Sequence, residues 1–171
     1  MPASESQLFA RLEALGIATQ THEHPAVFTV EEAQALRGTL PGGHCKSLFF
    51  KDKKAQLWLV VCLEERAIEL RKLERAIGAA RLSFGKPELL FETLGVTPGS
   101  VTPFALINDT GRAVRVVLDR DMLACNPLNF HPLRNTATTA IAPADLERFI
   151  AACGHEPLIV DFALVRPETA H

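Results

Sequence analysis

The stretch CKSLFFKDKKAQLWLVVCL, residues 45–63, decides the fold of this chain. It contains two nearly continuous apolar runs, residues 45–51 and 56–63, joined by four residues that suit a hairpin turn. Strands that are apolar along their whole length usually lie inside a sheet, because both of their faces are covered. The stretch therefore predicts two adjacent strands in the interior of a sheet.

Further elements are predicted on both sides of this hairpin. Apolar periodicity, capping residues, proline starts and glycine stops predict helices at residues 4–15, 29–36, 68–77, 87–94 and 143–153. Apolar and β-branched runs predict strands at residues 17–21, 104–107, 113–118, 136–141 and 158–162, with irregular chain at 126–135. Helices interspersed with hairpins favour one α/β domain, residues 1–171, with a mixed sheet and helices packed outside it.

The composition indicates a folded domain without a strong electrostatic bias. Hydrophobic residues make up 47% of the 171 residues and charged residues 22%, enough for a buried core. The formal net charge of −2 argues against strong non-specific nucleic-acid binding but allows contact with one nucleic-acid end. No apolar run approaches the ~20 residues that span a membrane. Four scattered cysteines and the lack of a signal peptide predict a cytoplasmic protein, and the charged segments 64–66 and 119–121 are interpreted as solvated loops.

A turn-rich stretch, GVTPGSVTP at residues 95–103, separates two apolar segments. Its two glycines and two prolines disfavour both helix and strand. Gly99 can adopt backbone angles closed to other residues, and Pro103 fixes one dihedral angle. Such a loop can point several backbone N–H groups at one place and bind an anion or an oxyanion. The alternative is a plain surface connection.

Lys46 stands at the start of an otherwise apolar strand. Side-chain alternation places it on the same side as Leu48 and Phe50, which predicts an amine aimed inward or into the mouth of a cleft. A desolvated lysine needs a carboxylate, a carbonyl or a substrate to offset the loss of water. The alternative is that the amine lies at the end of the strand and extends to water.

His131 lies in irregular chain between an aromatic residue and a proline. It could hydrogen-bond a substrate or act as an acid or base, or it could tie down the backbone. His22, His24 and His44 could suggest a metal site, but no further ligands complete a set, so they are interpreted as turn and surface residues. No glycine-rich nucleotide motif and no serine-hydrolase motif occurs.

Several motifs in order resemble a known family. They are EHP at residues 23–25, VFTVEEA at 27–33, GGHCKSLF at 42–49, SFG at 83–85, LGVTPGSVTP at 94–103, IND at 107–109 and NFHPL at 129–133. Together they resemble the YbaK/ProX family of aminoacyl-tRNA editing domains, over about residues 5–163. Within that family the chain is most similar to the freestanding prolyl-tRNA editing subgroup.

The resemblance implies a mixed, partly barrel-like sheet flanked by helices. It implies hydrolysis of the ester between a wrong amino acid and the tRNA 3′ end, with alanine on proline tRNA as the expected substrate and no metal or other cofactor. The family's lysine falls on Lys46, its glycine loop begins at Gly99, and the subgroup's histidine falls on His131. The residues expected to bind substrate around these three are Ser47, Ser100, Val101, Thr102, Pro103 and Asn129. The expected partners are the mischarged tRNA 3′ end and, second, prolyl-tRNA synthetase.

Ser47 departs from the subgroup, whose members usually carry asparagine after the lysine. Its shorter side chain and its hydroxyl leave open the deacylation of serine or cysteine on proline tRNA. A backbone oxyanion site, one lysine and one histidine suffice to hydrolyse an activated ester with water as the nucleophile. The lack of an obvious side-chain base also leaves open a non-catalytic module that binds tRNA or a synthetase.

Overall fold

The structure, a computed structural model, describes residues 1–26, 35 and 40–168. Within these residues the strands are β1 (Thr19–Glu23), β2 (Gly43–Asp52), β3 (Leu57–Leu63), β4 (Leu82–Phe84), β5 (Val114–Asp119), β6 (Leu128–Phe130), β7 (Ala137–Ile141) and β8 (Leu158–Val160). The α-helices with described bounds are α1 (Glu5–Ala14), α2 (Leu70–Ile77), α3 (Pro87–Leu94) and α4 (Pro143–Ala152). In the described ranges, no helix has the length and apolar character needed to cross a bilayer.

Strands β2 and β3 form the predicted hairpin at the centre of the sheet. They pair antiparallel from Cys45 opposite Leu63 to Lys51 opposite Leu57. The strand order is β1-β7-β6-β2-β3-β5-β8, so β2 and β3 each have neighbours on both sides. The β2–β6, β3–β5 and β5–β8 pairs are parallel, and the other pairs are antiparallel. The predicted mixed sheet, with both apolar strands in its interior, is confirmed.

Strand β2 connects two parts of this sheet. Its first residues, Gly43 and His44, pair with Leu128 and Asn129 of β6, which continues through β7 to β1. Its last residues pair with β4 on one side and β3 on the other. One ten-residue strand therefore extends from β6 at its start to β4 at its end.

The two faces of the β2–β3 hairpin pack against separate apolar clusters. Phe49 and Leu59 belong to a first cluster that also includes buried side chains of α1, α3 and α4. Phe50 and Trp58, on the other face, belong to a second cluster with buried side chains of α2. Both faces are covered, which explains why the sequences of β2 and β3 are apolar nearly throughout.

The helices begin and end at local sequence signals. Ser4 and Gln7 form a capping box at the start of α1, and α3 and α4 each begin with proline. Gly78 ends α2 in the left-handed region, at a φ of 72°. These features confirm four of the five predicted helices. The helix predicted at residues 29–36 lies, except for residue 35, outside the described residues.

Three short segments differ from the sequence prediction. Residues 104–107, predicted as a strand, belong to a 3₁₀ helix, Pro103–Asn108, whose start is capped by the Thr102 hydroxyl accepting from Phe104 N. The segment is apolar because it is buried, and an apolar run of this length does not distinguish strand from helix. Residues 126–135, predicted as irregular, contain β6, and β4 was not predicted. Both strands have only three residues, so pairing with β2 defines them more than their own sequence does.

The interpretation of residues 119–121 as a solvated turn is wrong for Asp119. This carboxylate is fully buried. It accepts hydrogen bonds from Leu63 N at 3.1 Å, Arg66 Nε at 3.0 Å and Asp121 N at 3.0 Å. A buried carboxylate is tolerated because each of these donors replaces water. Arg66, interpreted as part of a solvated loop, is held by the same contact.

Candidate functional site

Lys46 and Asn129 lie on the same face of the sheet. Lys46 is opposite Cys62 in the β2–β3 pair, and His44 is opposite Asn129 in the β2–β6 pair. Because side chains alternate along a strand and paired residues share a face, His44, Lys46 and Asn129 project to one side of the sheet, the side of the second apolar cluster. His131 follows two residues after Asn129, just beyond the end of β6. Two segments that are distant in sequence thus meet here.

The amine of Lys46 is hydrogen-bonded to backbone rather than extended into water. Its Nζ donates to the carbonyl of Arg66 at 2.5 Å, and the residue is half-buried. Arg66 is itself fixed by hydrogen bonds to Asp119 and Asp121, which raise the pKa of its guanidinium. The carbonyl partner that a half-buried lysine requires is therefore supplied by the loop after β3.

The ring of His131 is oriented by one hydrogen bond. Its Nδ1 lies 3.1 Å from the Ala137 carbonyl oxygen, which can only accept, so Nδ1 donates and Nε2 keeps a lone pair. Burial lowers the pKa of His131, while the hydrogen bond to Ala137 acts in the opposite direction. The neighbouring His24 lowers this pKa further, and Glu64 raises it. At neutral pH the ring is therefore a neutral acceptor at Nε2.

The loop that begins at Gly99 has the backbone conformation that its sequence predicts. Gly99 has a φ of 93°, which favours glycine. Ser100 N donates to the Thr97 carbonyl at 3.0 Å. Within residues 1–26, 35 and 40–168, the N–H groups of Gly99, Val101 and Thr102 have no hydrogen-bond partner. A loop with several uncommitted N–H groups can bind an oxyanion.

The side chains of the same loop are directed into the protein. Ser100, Thr102 and Pro103 are buried, and Val101 packs against the first apolar cluster. The Thr102 hydroxyl is used as the cap of the following 3₁₀ helix. The loop therefore presents mainly its backbone to any ligand, and its side chains hold it in place.

This loop lies against the segment that contains His131. A methyl group built on Gly99 would come within 3.6 Å of Asn135 Nδ2, which is an ordinary van der Waals distance. Asn135 and His131 belong to the same connection between β6 and β7. The fold thus joins the Gly99 loop and the His131 segment, which are separated by about thirty residues in the sequence.

Two residues predicted to bind substrate do not present a free side chain beside Lys46. Ser47 follows Lys46 in an extended strand and so projects to the opposite face of the sheet. Asn129 is buried, and its Nδ2 donates to the carbonyls of Pro41 at 3.0 Å and Gly43 at 3.1 Å. Asn129 therefore holds the segment that leads into β2, and through it the start of the strand that contains Lys46.

Two of the three histidines considered as metal ligands make separate hydrogen bonds. His24 Nε2 lies 2.8 Å from the Thr138 hydroxyl, and His44 Nε2 donates to the Leu40 carbonyl at 3.0 Å. In the described part of the chain, no group of three histidine, cysteine, aspartate or glutamate side chains is placed to hold a metal ion.

One feature at the other end of β2 was not predicted from the sequence. A cavity of about 470 Å³, the basic groove, is lined by Lys51, Lys53, Arg81 and Lys86 around Phe84, which is 65% exposed. Asp52 and two glutamates of α3 also line it, so the cations exceed the carboxylates by one. The antiparallel β2–β4 pair brings these cations together, and Lys53 N donates to the Arg81 carbonyl at 3.1 Å. Because the cations are dispersed in the sequence, only the strand pairing could have revealed them.

Known proteins resemble this chain over most of its length. The family model described as "Aminoacyl-tRNA editing domain" matches residues 24–149. The chain is 43% identical over 153 residues to "Prolyl-tRNA synthetase associated domain-containing protein 1" of Danio rerio, covering 88% of this chain and 83% of that protein. It is 33% identical over 153 residues to "Prolyl-tRNA editing protein ProX" of Acetoanaerobium sticklandii, covering 89% of this chain and 93% of that protein.

The fold is also found in solved structures. One of them, described as a candidate trans-editing enzyme for prolyl tRNA synthetase, has a TM-score of 0.71 at 23% identity and covers 98% of this chain and 100% of that one. The family match includes Lys46, the Gly99 loop and His131. The chain belongs to the family of aminoacyl-tRNA editing domains.

Proposed function

We propose that this chain is a trans-acting editing hydrolase that removes alanine from mischarged proline tRNA, Ala-tRNA(Pro). Membership of the aminoacyl-tRNA editing family is the observation that supports this most, because it concerns the ester between an amino acid and tRNA. The relative named as a prolyl-tRNA editing protein directs the proposal to the proline system. Residues 1–171 would form one editing domain that acts in the cytoplasm.

The reaction is hydrolysis of an activated ester. The water oxygen attacks the carbonyl carbon of the alanyl ester, and the carbonyl electron pair moves onto oxygen to give a tetrahedral oxyanion. When this intermediate collapses, the bond to the ribose oxygen breaks, and that oxygen takes the proton that water gives up. The products are alanine and deacylated tRNA. Orientation and charge stabilisation supply most of what such a reactive ester requires.

The Gly99 loop is proposed to bind the oxyanion through its backbone. The N–H groups of Gly99, Val101 and Thr102 are uncommitted among the described residues. Donors fixed before the reaction stabilise the negative charge as it develops, without a cost of reorganisation. The buried Ser100 and the proline at the end of the loop would keep these donors in position.

His131 and Lys46 are proposed to act on either side of the ester. His131 Nε2, a neutral acceptor, would take a hydrogen bond from the attacking water or from the terminal ribose hydroxyl. Lys46 would exchange the Arg66 carbonyl for a phosphate of the tRNA 3′ end. Asn129 would act indirectly, by holding through the Pro41 and Gly43 carbonyls the start of the strand that contains Lys46.

The basic groove supports a nucleic-acid substrate. It places four cations and three carboxylates in one region, a local excess of one positive charge in a chain whose formal net charge is −2. Cations that neutralise phosphates dominate the affinity for nucleic acids, and an exposed aromatic side chain such as Phe84 can stack on a base. A localised groove fits a substrate of which only one end is bound.

The first experiment is release of alanine from Ala-tRNA(Pro), with wild type and Lys46→Ala side by side. Lys54→Ala is the matched control, because Lys54 is an exposed lysine of the same hairpin that does not line the groove. We expect rapid release by wild type and by Lys54→Ala, and a large loss in Lys46→Ala.

Two other results would lead to different functions. Faster release from Ser- or Cys-tRNA(Pro) than from Ala-tRNA(Pro) would change the substrate to the alternative that Ser47 suggests in the sequence. Binding of all three charged tRNAs without release above the buffer rate would overturn the hydrolase proposal and leave a non-catalytic binding module.

A further inference from the structure

Asn135 has a side chain without an assigned role inside the fold. It lies near the end of the connection between β6 and β7 and is partly buried. Within the part of the chain that the structure describes, neither its Oδ1 nor its Nδ2 makes a hydrogen bond. The carboxamide of Asn129, by contrast, is committed to two carbonyls. A partly buried amide that makes no internal hydrogen bond is available to a ligand.

The backbone around Asn135 is held firmly by its neighbours. The guanidinium of Arg134 donates to Glu5 at 2.7 and 3.0 Å, to Glu23 at 2.7 Å and to the Thr136 hydroxyl at 2.8 Å. On the other side, Ala137 begins β7. These contacts fix the chain before and after Asn135 and therefore restrict the position of its backbone.

The carboxamide is located beside the proposed oxyanion site. Asn135 Nδ2 lies 3.6 Å from the position that a methyl group on Gly99 would occupy. A glycine at that position therefore leaves space next to the amide. The N–H groups of Gly99, Val101 and Thr102 lie in the same loop and, among described residues, are uncommitted as well. The N–H groups of the loop and the Nδ2 of Asn135 are thus donors in the same region, and none of them is bonded to an acceptor among the described residues.

We propose that Asn135 is a further catalytic residue whose Nδ2 donates a hydrogen bond to the oxyanion of the tetrahedral intermediate, together with the N–H groups of the Gly99 loop. This inference rests on the proposed hydrolase function. In the ground state the carbonyl oxygen carries little charge, and after water attacks it carries nearly a full one. A donor fixed at this position therefore stabilises the transition state more than the bound substrate.

The alternative is that Asn135 only fills space against Gly99. A packing role would lower the stability of the fold, or the affinity for tRNA, without a specific effect on the chemical step. A donor role lowers kcat and leaves KM and the melting temperature nearly unchanged. The two roles are therefore separated by measuring kcat, KM and thermal unfolding on the same variants.

The test uses Asn135→Ala and Asn135→Asp with full-length protein and Ala-tRNA(Pro). Asn135→Asp keeps the shape but replaces the donor with a negatively charged acceptor. Asn126→Asp is the matched control, because it makes the same chemical change at an exposed asparagine of the preceding segment. We expect kcat to fall on the order of a hundredfold in Asn135→Ala and further in Asn135→Asp, with KM within about twofold. Asn126→Asp should match wild type.

Three results would overturn the proposal, and they differ from one another. If both Asn135 variants keep kcat within about threefold of wild type, Asn135 is not a donor. If the loss appears in KM or in the melting temperature, with kcat preserved, Asn135 has a binding or packing role. If wild type itself releases no amino acid from any mischarged proline tRNA, the hydrolase function fails first, and the role of Asn135 fails with it.

Discussion

The position of the Lys46 amine depends on a chain of contacts that begins at a buried carboxylate. Asp119 accepts hydrogen bonds from Leu63 N and Arg66 Nε. The Arg66 carbonyl then accepts from Lys46 Nζ. The sequence could suggest that Lys46 needs a partner, but Asp119 looks like any acidic residue in a charged turn. The strand pairing of β3 with β5 is what brings Asp119 to this place.

At the residue scale, we expect Asp119→Ala to lower the free energy of unfolding by about 3 kcal/mol. The change leaves the Leu63 N–H and part of the Arg66 guanidinium without an acceptor. Urea denaturation measures the loss. Asp121→Ala is the control, since Asp121 pairs with the same arginine but is 49% exposed, and it should cost less than about 1 kcal/mol. Equal losses in the two variants would contradict the prediction.

The lowered pKa of His131 leads to a prediction for the pH dependence of activity. As the pH falls through this pKa, protonation occupies the Nε2 lone pair and removes the acceptor. Because burial places the pKa below the ordinary value of 6.5, the acid limb of kcat should have its midpoint below pH 6.5. His131→Gln, which does not titrate, should be slower at neutral pH and should lack this limb. An unchanged limb in His131→Gln would assign the titration to another group.

At the scale of elements, the sequence predicted those strands and helices whose formation depends on residues close together in the chain. Apolar runs located β2 and β3, and caps, prolines and glycines located α1, α2, α3 and α4. The 3₁₀ helix that begins at Pro103 was mistaken for a strand, because burial makes both apolar. Strands β4 and β6 exist only through pairing with β2. The same holds for the candidate site. Lys46 and the Gly99 loop could be recognised in the sequence, whereas the basic groove and Asn135 could be recognised only once the fold was known.

Substitution of Gly99 should affect activity more than stability, and Gly78 at the end of α2 provides the comparison. We expect Gly99→Ala to lose roughly 1–2 kcal/mol of stability, since φ is 93° and alanine is strained there, although the nearest atom leaves room. Its activity should fall much further, because the strain shifts the loop N–H groups. Gly78→Ala at the end of α2, with a φ of 72° and no atom within 4 Å, should lose similar stability and keep its activity. Thermal unfolding and deacylation rates together test both statements.

At the scale of the whole molecule, the distribution of charge matters more than its sum. The formal net charge of −2 gives no indication of nucleic-acid binding. The sheet nevertheless gathers Lys51, Lys53, Arg81 and Lys86 into one groove. Elsewhere, opposite charges pair, as Arg134 does with Glu5 and Glu23. If the proposed function holds, this arrangement would let the protein hold one end of a tRNA and leave the rest of the tRNA uncontacted.

The basic groove therefore predicts the salt dependence of tRNA binding. Lys53→Glu and Arg81→Glu should each weaken binding of proline tRNA and make the slope of log affinity against log salt shallower by about one. Arg75→Glu is the control, because Arg75 is an exposed cation of α2 that does not line the groove. Filter binding across a salt series measures the slopes. If the Arg75 variant behaves like the other two, the effect is one of net charge and not of the groove.

The continuity of β2 has a consequence for the dimensions of the substrate. Lys46 and Lys51 are five positions apart in one extended strand, a span of roughly 16 Å. Because five is an odd number, their side chains project to opposite faces of the sheet. Strand β2 therefore separates the place where an ester would be cleaved from the groove where phosphates would be bound. A molecule that uses both must extend from one face of the sheet to the other, so an aminoacylated mononucleotide can occupy only one of them.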